Sequence, residues 1–165
     1  MGCRCLNPEW WQRLRHRRGF GIHSPFAFRF ITEVLNPRRG YVYYAEECVR
    51  GRNRRFLARL AAFLGGNVPV YYGPRTEALR AAGAPSAAID DAALLVLDLS
   101  APCPDGIPER IARGDVAVFC LNHGGGRIDP LLRAMPAGMS FRNRRSRAVL
   151  MVRDKLPRQD FWVSW

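Results

Sequence analysis

Lysine is almost missing from this chain: Lys155 is the single lysine among 26 basic residues, and all the others are arginine. Long apolar runs are missing too. The longest, such as Ala92–Leu97 and Ala148–Val152, fall far short of the roughly 20 residues that a bilayer-crossing helix needs. The basic N-terminus is followed by no apolar stretch of the secretory kind, so no signal peptide is expected. Met1-Gly2-Cys3-Arg4-Cys5-Leu6 lacks the Ser or Thr of a myristoylation signal. C-x-x-C spacing is absent, and five cysteines, an odd number, suit reduced thiols in a cytoplasmic protein better than a disulfide framework. Neither G-x-G-x-x-G, a Walker loop nor a G-x-S-x-G elbow occurs, which leaves the common dinucleotide, nucleoside-triphosphate and serine-hydrolase signatures without support.

What is present is a globular composition. The chain has 165 residues, 48% apolar and 24% charged, which reads as a single domain with one real core. The formal charge of +12 is unevenly spread. Residues 1–60 carry 13 Arg against 4 acids, and residues 61–165 carry 13 basic residues against 10 acids. Such asymmetry marks either a basic arm for nucleic acid or another anionic partner, or a bias of composition towards arginine. Under the first reading Arg13, Arg15, Arg17 and Arg18 are the candidate contacts.

Helical signals dominate the first 66 residues. Asn7-Pro8-Glu9 reads as a helix start, followed by Trp10, Trp11 and Leu14 on one side and ended by Gly19 and Gly21. Ser24-Pro25 opens a second helix, with Phe26, Phe30, Ile31, Val34 and Leu35 as its apolar stripe and Asn36-Pro37 as its stop. A third helix is predicted from about Asn53 to Leu64, ended by Gly65-Gly66. From residue 67 the period changes. Val68–Tyr72, Leu94–Leu99, Val116–Leu121, Arg147–Val152 and Asp160–Trp165 read as strands, and Thr76–Ala82, Pro108–Arg113 and Asp129–Met135 as helices. The last two strands, joined by Asp154–Arg158, are expected to form a hairpin. The fold class is therefore α/β: a mostly parallel sheet of about five strands with an antiparallel end, behind three N-terminal helices.

Few residues stand out chemically. His23 beside Ser24 invites a nucleophile reading, but adjacent residues make no triad, and Ser24 serves better as a helix cap. Cys3, Cys5 and His16 lack a second pair of ligands at zinc spacing. Asp98 ends a buried strand, where open α/β sheets bind ligands, or it satisfies loop amides there. Asn122-His123-Gly124-Gly125-Gly126 ends the next strand, either as an anion-approachable loop or as a plain turn.

The stretch Arg18–Leu35, with Gly19-Phe20-Gly21-Ile22-His23-Ser24-Pro25-Phe26 at its centre, resembles the opening element of a group of bacterial class I S-adenosylmethionine-dependent methyltransferases. Tyr41–Glu47, Arg54–Phe63 and the closing Ala148–Trp165 are similar to further parts of that family. The resemblance implies a Rossmann-like methyltransferase fold, S-adenosylmethionine as cofactor and methyl transfer as the ancestral activity, with the methyl acceptor unspecified. Residues 1–66 become a helical extension and 67–165 the catalytic-type core. Carried over by position, the cofactor would meet Gly73, Asp98, Asn122 and His123. The departures are equally specific. Tyr71 stands where the family has an acid, and Glu77 where it has a second glycine. Only about ten residues separate Ala82 from Ala93, too few for a strand–helix–strand passage, so the family's second and third strands are missing. The implied strand order is 1-4-5-7-6 in family numbering, with Val68–Tyr72 as an edge. Pro69 inside that strand fits an edge independently, because proline cannot donate to a ladder.

Overall fold

The computed structural model describes residues 22–37, 51–80, 85–144 and 146–165. The first expected helix, Arg13, Arg15, Arg17 and Arg18 lie outside the described residues.

Six strands form one mixed sheet: β1 (Val70–Tyr72), β2 (Leu94–Asp98), β3 (Val116–Leu121), β4 (Met139–Asn143), β5 (Arg147–Val152) and β6 (Gln159–Trp162). Their spatial order is β1-β2-β3-β5-β4-β6. β1, β2 and β3 are mutually parallel, and β5 runs antiparallel to both β3 and β4. The sequence reading missed β4 and expected five strands where the described residues form six. It also paired the wrong strands: the hairpin is β4–β5, and β6 lies parallel on the far side of β4. The antiparallel strand is thus β5, in the interior of the sheet and not at the chain's end. Gly138 makes this crossing possible. Its φ is +120°, and a Cβ there would sit 2.1 Å from the carbonyl oxygen of Met151. Only a residue without a side chain lets β4 start this close to β5.

Helices cover both faces. On one side pack α1 (Pro25–Arg29), continued by a π-helical turn over Phe30–Leu35, and α2 (Arg52–Leu64). Ser24 caps α1, its Oγ accepting from the Ala27 amide at 3.3 Å, with Pro25 in the first turn. The stripe predicted from spacing is buried: Phe30 and Ile31 are fully inaccessible, while Phe26 packs at the margin. Phe30 meets Phe141 of β4 at 4.5 Å between ring centres, and Phe56 of α2 meets Phe119 of β3 at 4.8 Å. On the other side lie α3 (Ile107–Ala112) and α4 (Asp129–Ala134), whose Ile107, Ile111 and Leu131 join Leu95, Leu97, Val118 and Leu150. Alternate residues of β2 thus feed opposite cores, as a strand covered on both faces requires. The helix expected at Thr76–Ala82 is, among the described residues, only a 3-10 turn over Glu77–Leu79. Among the described residues β1 is the sheet edge, as expected, but it begins at Val70, so Pro69 lies just before the strand and not inside it. A lone bridge, Val70 to Ser86, touches its outer side. No helix among the described residues is long and apolar enough to cross a membrane.

Candidate functional site

Parallel strands β1, β2 and β3 bring their C-terminal ends to one rim, the usual ligand end of an open α/β sheet. Gly73, Asp98 and Asn122 follow or end these strands in turn. Gly73 is drawn against β2: its amide donates to Val96 O at 2.9 Å, and an added Cβ would meet Leu97 Cδ2 at 3.2 Å and Val96 O at 3.3 Å. Close strand packing therefore accounts for this glycine. The chain then turns sharply through Pro74 and Arg75, the latter at φ +66°. Thr76, fully buried, closes the turn by donating from both its amide and its Oγ to Gly73 O. Glu77 follows at the surface, at the start of the 3-10 turn.

Asp98 is the centre of the rim. Its Oδ1 accepts from the Ser100 amide at 2.9 Å, from Ser100 Oγ at 2.7 Å and from Asn122 Nδ2 at 2.9 Å. Arg75 Nη1 in turn donates to Ser100 Oγ at 3.4 Å. Partial burial pushes the Asp98 carboxyl up, but the donors from Asn122 and Ser100, with the Arg75 charge, outweigh it and hold the carboxyl below the usual range. Asn122 reaches Asp98 because its own backbone takes a left-handed turn, φ +53°, which asparagine tolerates better than most residues. The amide of Asn122 also donates to Ser146 O at 2.7 Å, tying the rim to the β4–β5 turn.

His123 is not part of this cluster. It is 4% exposed, with Nε2 3.4 Å from the carbonyl oxygen of Asn143 at the end of β4. Burial is the main cause that holds its pKa below the usual histidine range, with the Arg142 charge adding to it against hydrogen bonds to main-chain carbonyls. The glycines that follow form a turn before a six-residue helix, and the Asp129 carboxylate lies 3.0 Å from where a Gly126 side chain would start. A carboxylate in that position repels an anion, which weighs against the anion-approachable alternative. His23 is exposed, Cys120 is fully buried with its thiol pushed up by that burial, and no metal-holding group of His, Cys, Asp or Glu occurs among the described residues.

No family model matches this sequence, and no curated protein or solved structure matches it either.

The rim thus unites Asp98 with Asn122, keeps Gly73 beside them and turns His123 away. Sequence reasoning missed Arg75 and Ser100, the two residues that complete the Asp98 network. Ser100 had a readable signal, since an Asp followed two residues later by Ser is a common local turn. Arg75 had none, because its placement depends on the β1–β2 register.

Proposed function

We propose that this chain is a shortened methyltransferase-like protein whose strand-end rim marks the place of an S-adenosylmethionine site that holds the cofactor weakly or not at all. The observation that carries this reading is the rim built on Asp98. A carboxylate ends the second of three parallel strands, one of its oxygens is saturated by Ser100 and Asn122, and no hydrogen bond reaches the other among the described residues. That second oxygen can accept from a ligand hydroxyl or amine. The sheet order fits that reading only when the family's last two strands are moved from the expected Arg147–Val152 and Asp160–Trp165 to β4 and β5, which leaves β6 as an addition outside them.

The losses argue for weak binding. Beyond β1 there is only the Val70–Ser86 bridge among the described residues, so one wall of the crevice that normally encloses a small ligand is missing. Among the described residues no strand follows β1 before β2 to offer a carboxylate to ribose hydroxyls. Each such hydrogen bond is worth about 1.5–3 kcal/mol, roughly ten- to a hundredfold in affinity. Glu77 replaces the second glycine and places a side chain where bare backbone would be needed.

Calorimetry and amide-resolved NMR with S-adenosylmethionine test this directly. The dissociation constant is expected to be no tighter than about a millimolar, with any perturbed amides confined to Gly73, Asp98, Asn122 and their neighbours. Micromolar affinity that Asp98→Ala weakens would show an intact site and end the reduced reading.

A further inference from the structure

A cavity of about 470 Å³ opens at the end of the sheet opposite the rim, where β2 and β3 begin and residues 153–156 follow β5. Its floor is apolar. Leu64, Val68, Val116 and Leu156 line it, and Phe26 forms one wall, its ring edge-on to Phe63 at 5.7 Å between centres. Asp115 lines it from the start of β3, and Arg153, Asp154 and Lys155, the single lysine of the chain, from the turn after β5. The Asp115 side is clamped by Arg110, which donates Nη1 to Gly114 O at 2.8 Å and Nη2 to Ala92 O at 2.9 Å and to Asp115 O at 3.4 Å. That clamp sustains left-handed backbone at Gly114, φ +82°, and at Asp115, φ +46°, where a non-glycine residue is strained. The Asp154 carboxylate comes across from the other side, its Oδ1 3.2 Å from where a Gly114 Cβ would stand. The ion pairs among the described residues are Arg29–Glu33, Arg113–Asp90 and Arg142–Asp160, so none joins the four charged residues of this cavity.

We infer that this cavity binds a free α-amino acid with an apolar side chain: the side chain on the floor, the ammonium towards Asp115 and Asp154, the carboxylate towards Arg153 and Lys155. The inference is independent of the cofactor reading, because the two sites lie at opposite ends of the sheet. The volume lies in the range of small-molecule clefts, which combine a mostly apolar lining with a few polar groups that fix orientation. Two carboxylates and two cations at one mouth are matched in full only by a ligand that carries both signs. An apolar amine would leave the cations unanswered, and an apolar carboxylate would leave the acids so. Both ends of a zwitterion gain charge-assisted hydrogen bonds, the stronger class, and a clamped Asp115 needs little reordering to make them. Charge complementarity of this kind chooses among ligands of similar apolar bulk.

The test uses the full chain at constant ionic strength, read by calorimetry and amide-resolved NMR. The probes are L-phenylalanine, L-leucine, phenethylamine, 3-phenylpropionate and glycine. L-Phenylalanine and L-leucine are expected to bind one per chain and to perturb the amides of Val68, Ala93 and Val116. Phenethylamine and 3-phenylpropionate, each lacking one charge, are expected to bind at least about tenfold more weakly, and glycine, lacking the apolar body, not to bind at the same concentration. Asp154 and Lys155 are both exposed, so their variants are expected to fold. Asp154→Asn should weaken L-phenylalanine and phenethylamine and leave 3-phenylpropionate unchanged, whereas Lys155→Gln should weaken L-phenylalanine and 3-phenylpropionate and leave phenethylamine unchanged. A singly charged analogue binding as tightly as L-phenylalanine, indifference to both variants, or no binding overturns the proposal. Perturbed amides at Gly73, Asp98 and Asn122 also overturn it, and place the amino acid at the rim instead.

Discussion

Phe30 shows how far one side chain can be followed from spacing to energy. It sits in a helical stripe, is fully inaccessible, and touches Phe63 at 5.3 Å and Phe141 at 4.5 Å between ring centres. Truncation to alanine leaves a cavity that the surrounding rings cannot close, so Phe30→Ala should destabilise by about 3–5 kcal/mol in denaturant unfolding. An unchanged midpoint would remove Phe30 from the core. His123 makes a pH-dependent contribution. Its folded pKa lies below the usual histidine value, so as pH falls the unfolded chain takes up the extra proton before the folded one does. This contribution is fully present above about pH 6.5 and is lost as pH falls through the lower folded value. The thermal midpoint should therefore drop between roughly pH 7 and pH 5, and His123→Gln should flatten that part of the profile. A steeper profile in the variant would place the titrating group elsewhere. The arginines also gain a residue-level account. Arg54, Arg59, Arg110 and Arg158 donate to main-chain carbonyls of Ala78, Val34, Ala92 with Gly114, and Leu132 with Met135. A forked, five-donor group can serve two carbonyls at once where a lysine ammonium acts as a compact point charge.

At the scale of the element, the β4–β5–β6 arrangement depends on a single point of close approach. The chain leaves β5, passes the start of β4 and pairs β6 with β4 in parallel, with the Gln159 amide donating to Gly138 O at 3.2 Å. Gly138→Ala combines a left-handed backbone conformation with a direct clash against the Met151 carbonyl. The expected cost is about 3 kcal/mol or more, read by equilibrium unfolding, and amide exchange should rise first in β4 and β6. A variant as stable as the native chain would mean that the two strands are further apart than described. The π-helical turn after α1 is a second feature of this scale. Asn36 N donates to Ile31 O across five residues, and Asn36 Nδ2 then reaches Ser164 O. This widened turn thereby holds Ser164 beside the helical layer.

For the whole molecule, the net charge is the property that no local contact explains. Four arginines of the N-terminal segment, Arg13, Arg15, Arg17 and Arg18, belong to a chain with 26 basic residues against 14 acids. If that segment serves an anionic polymer, binding should show little sequence preference and fall steeply with salt, because each phosphate contact releases a counterion. Filter binding with single- and double-stranded probes at low and moderate salt measures this, and replacing the four arginines by alanine should flatten the salt slope by several contacts. Salt-indifferent binding, or none, leaves the charge as a matter of composition.

Periodicity and end signals were enough for α2, β2, β3 and α4, whose predicted limits differ from the observed ones by a residue or so, because each is specified by neighbours within a few positions of itself. The edge position of β1 was expected from a proline inside the strand, and the strand is the edge although Pro69 stands just before it. The Asp98–Asn122 pair was legible as two strand ends, but not as a bond, since its 2.9 Å contact depends on the β2–β3 register. β4 was not legible. Met-Ser-Phe-Arg-Asn has no clear alternation, with Met139, Ser140 and Phe141 all buried, and Ser140 is satisfied by Asp160 of β6. It is a strand because β5 and β6 supply partners on both its sides. The same holds for Arg147: a lone arginine at the head of an apolar strand is buried and partnered only when Trp165 folds against it. Local order here comes from the sequence through near neighbours, whereas the sites come from contacts between residues that are distant along the chain.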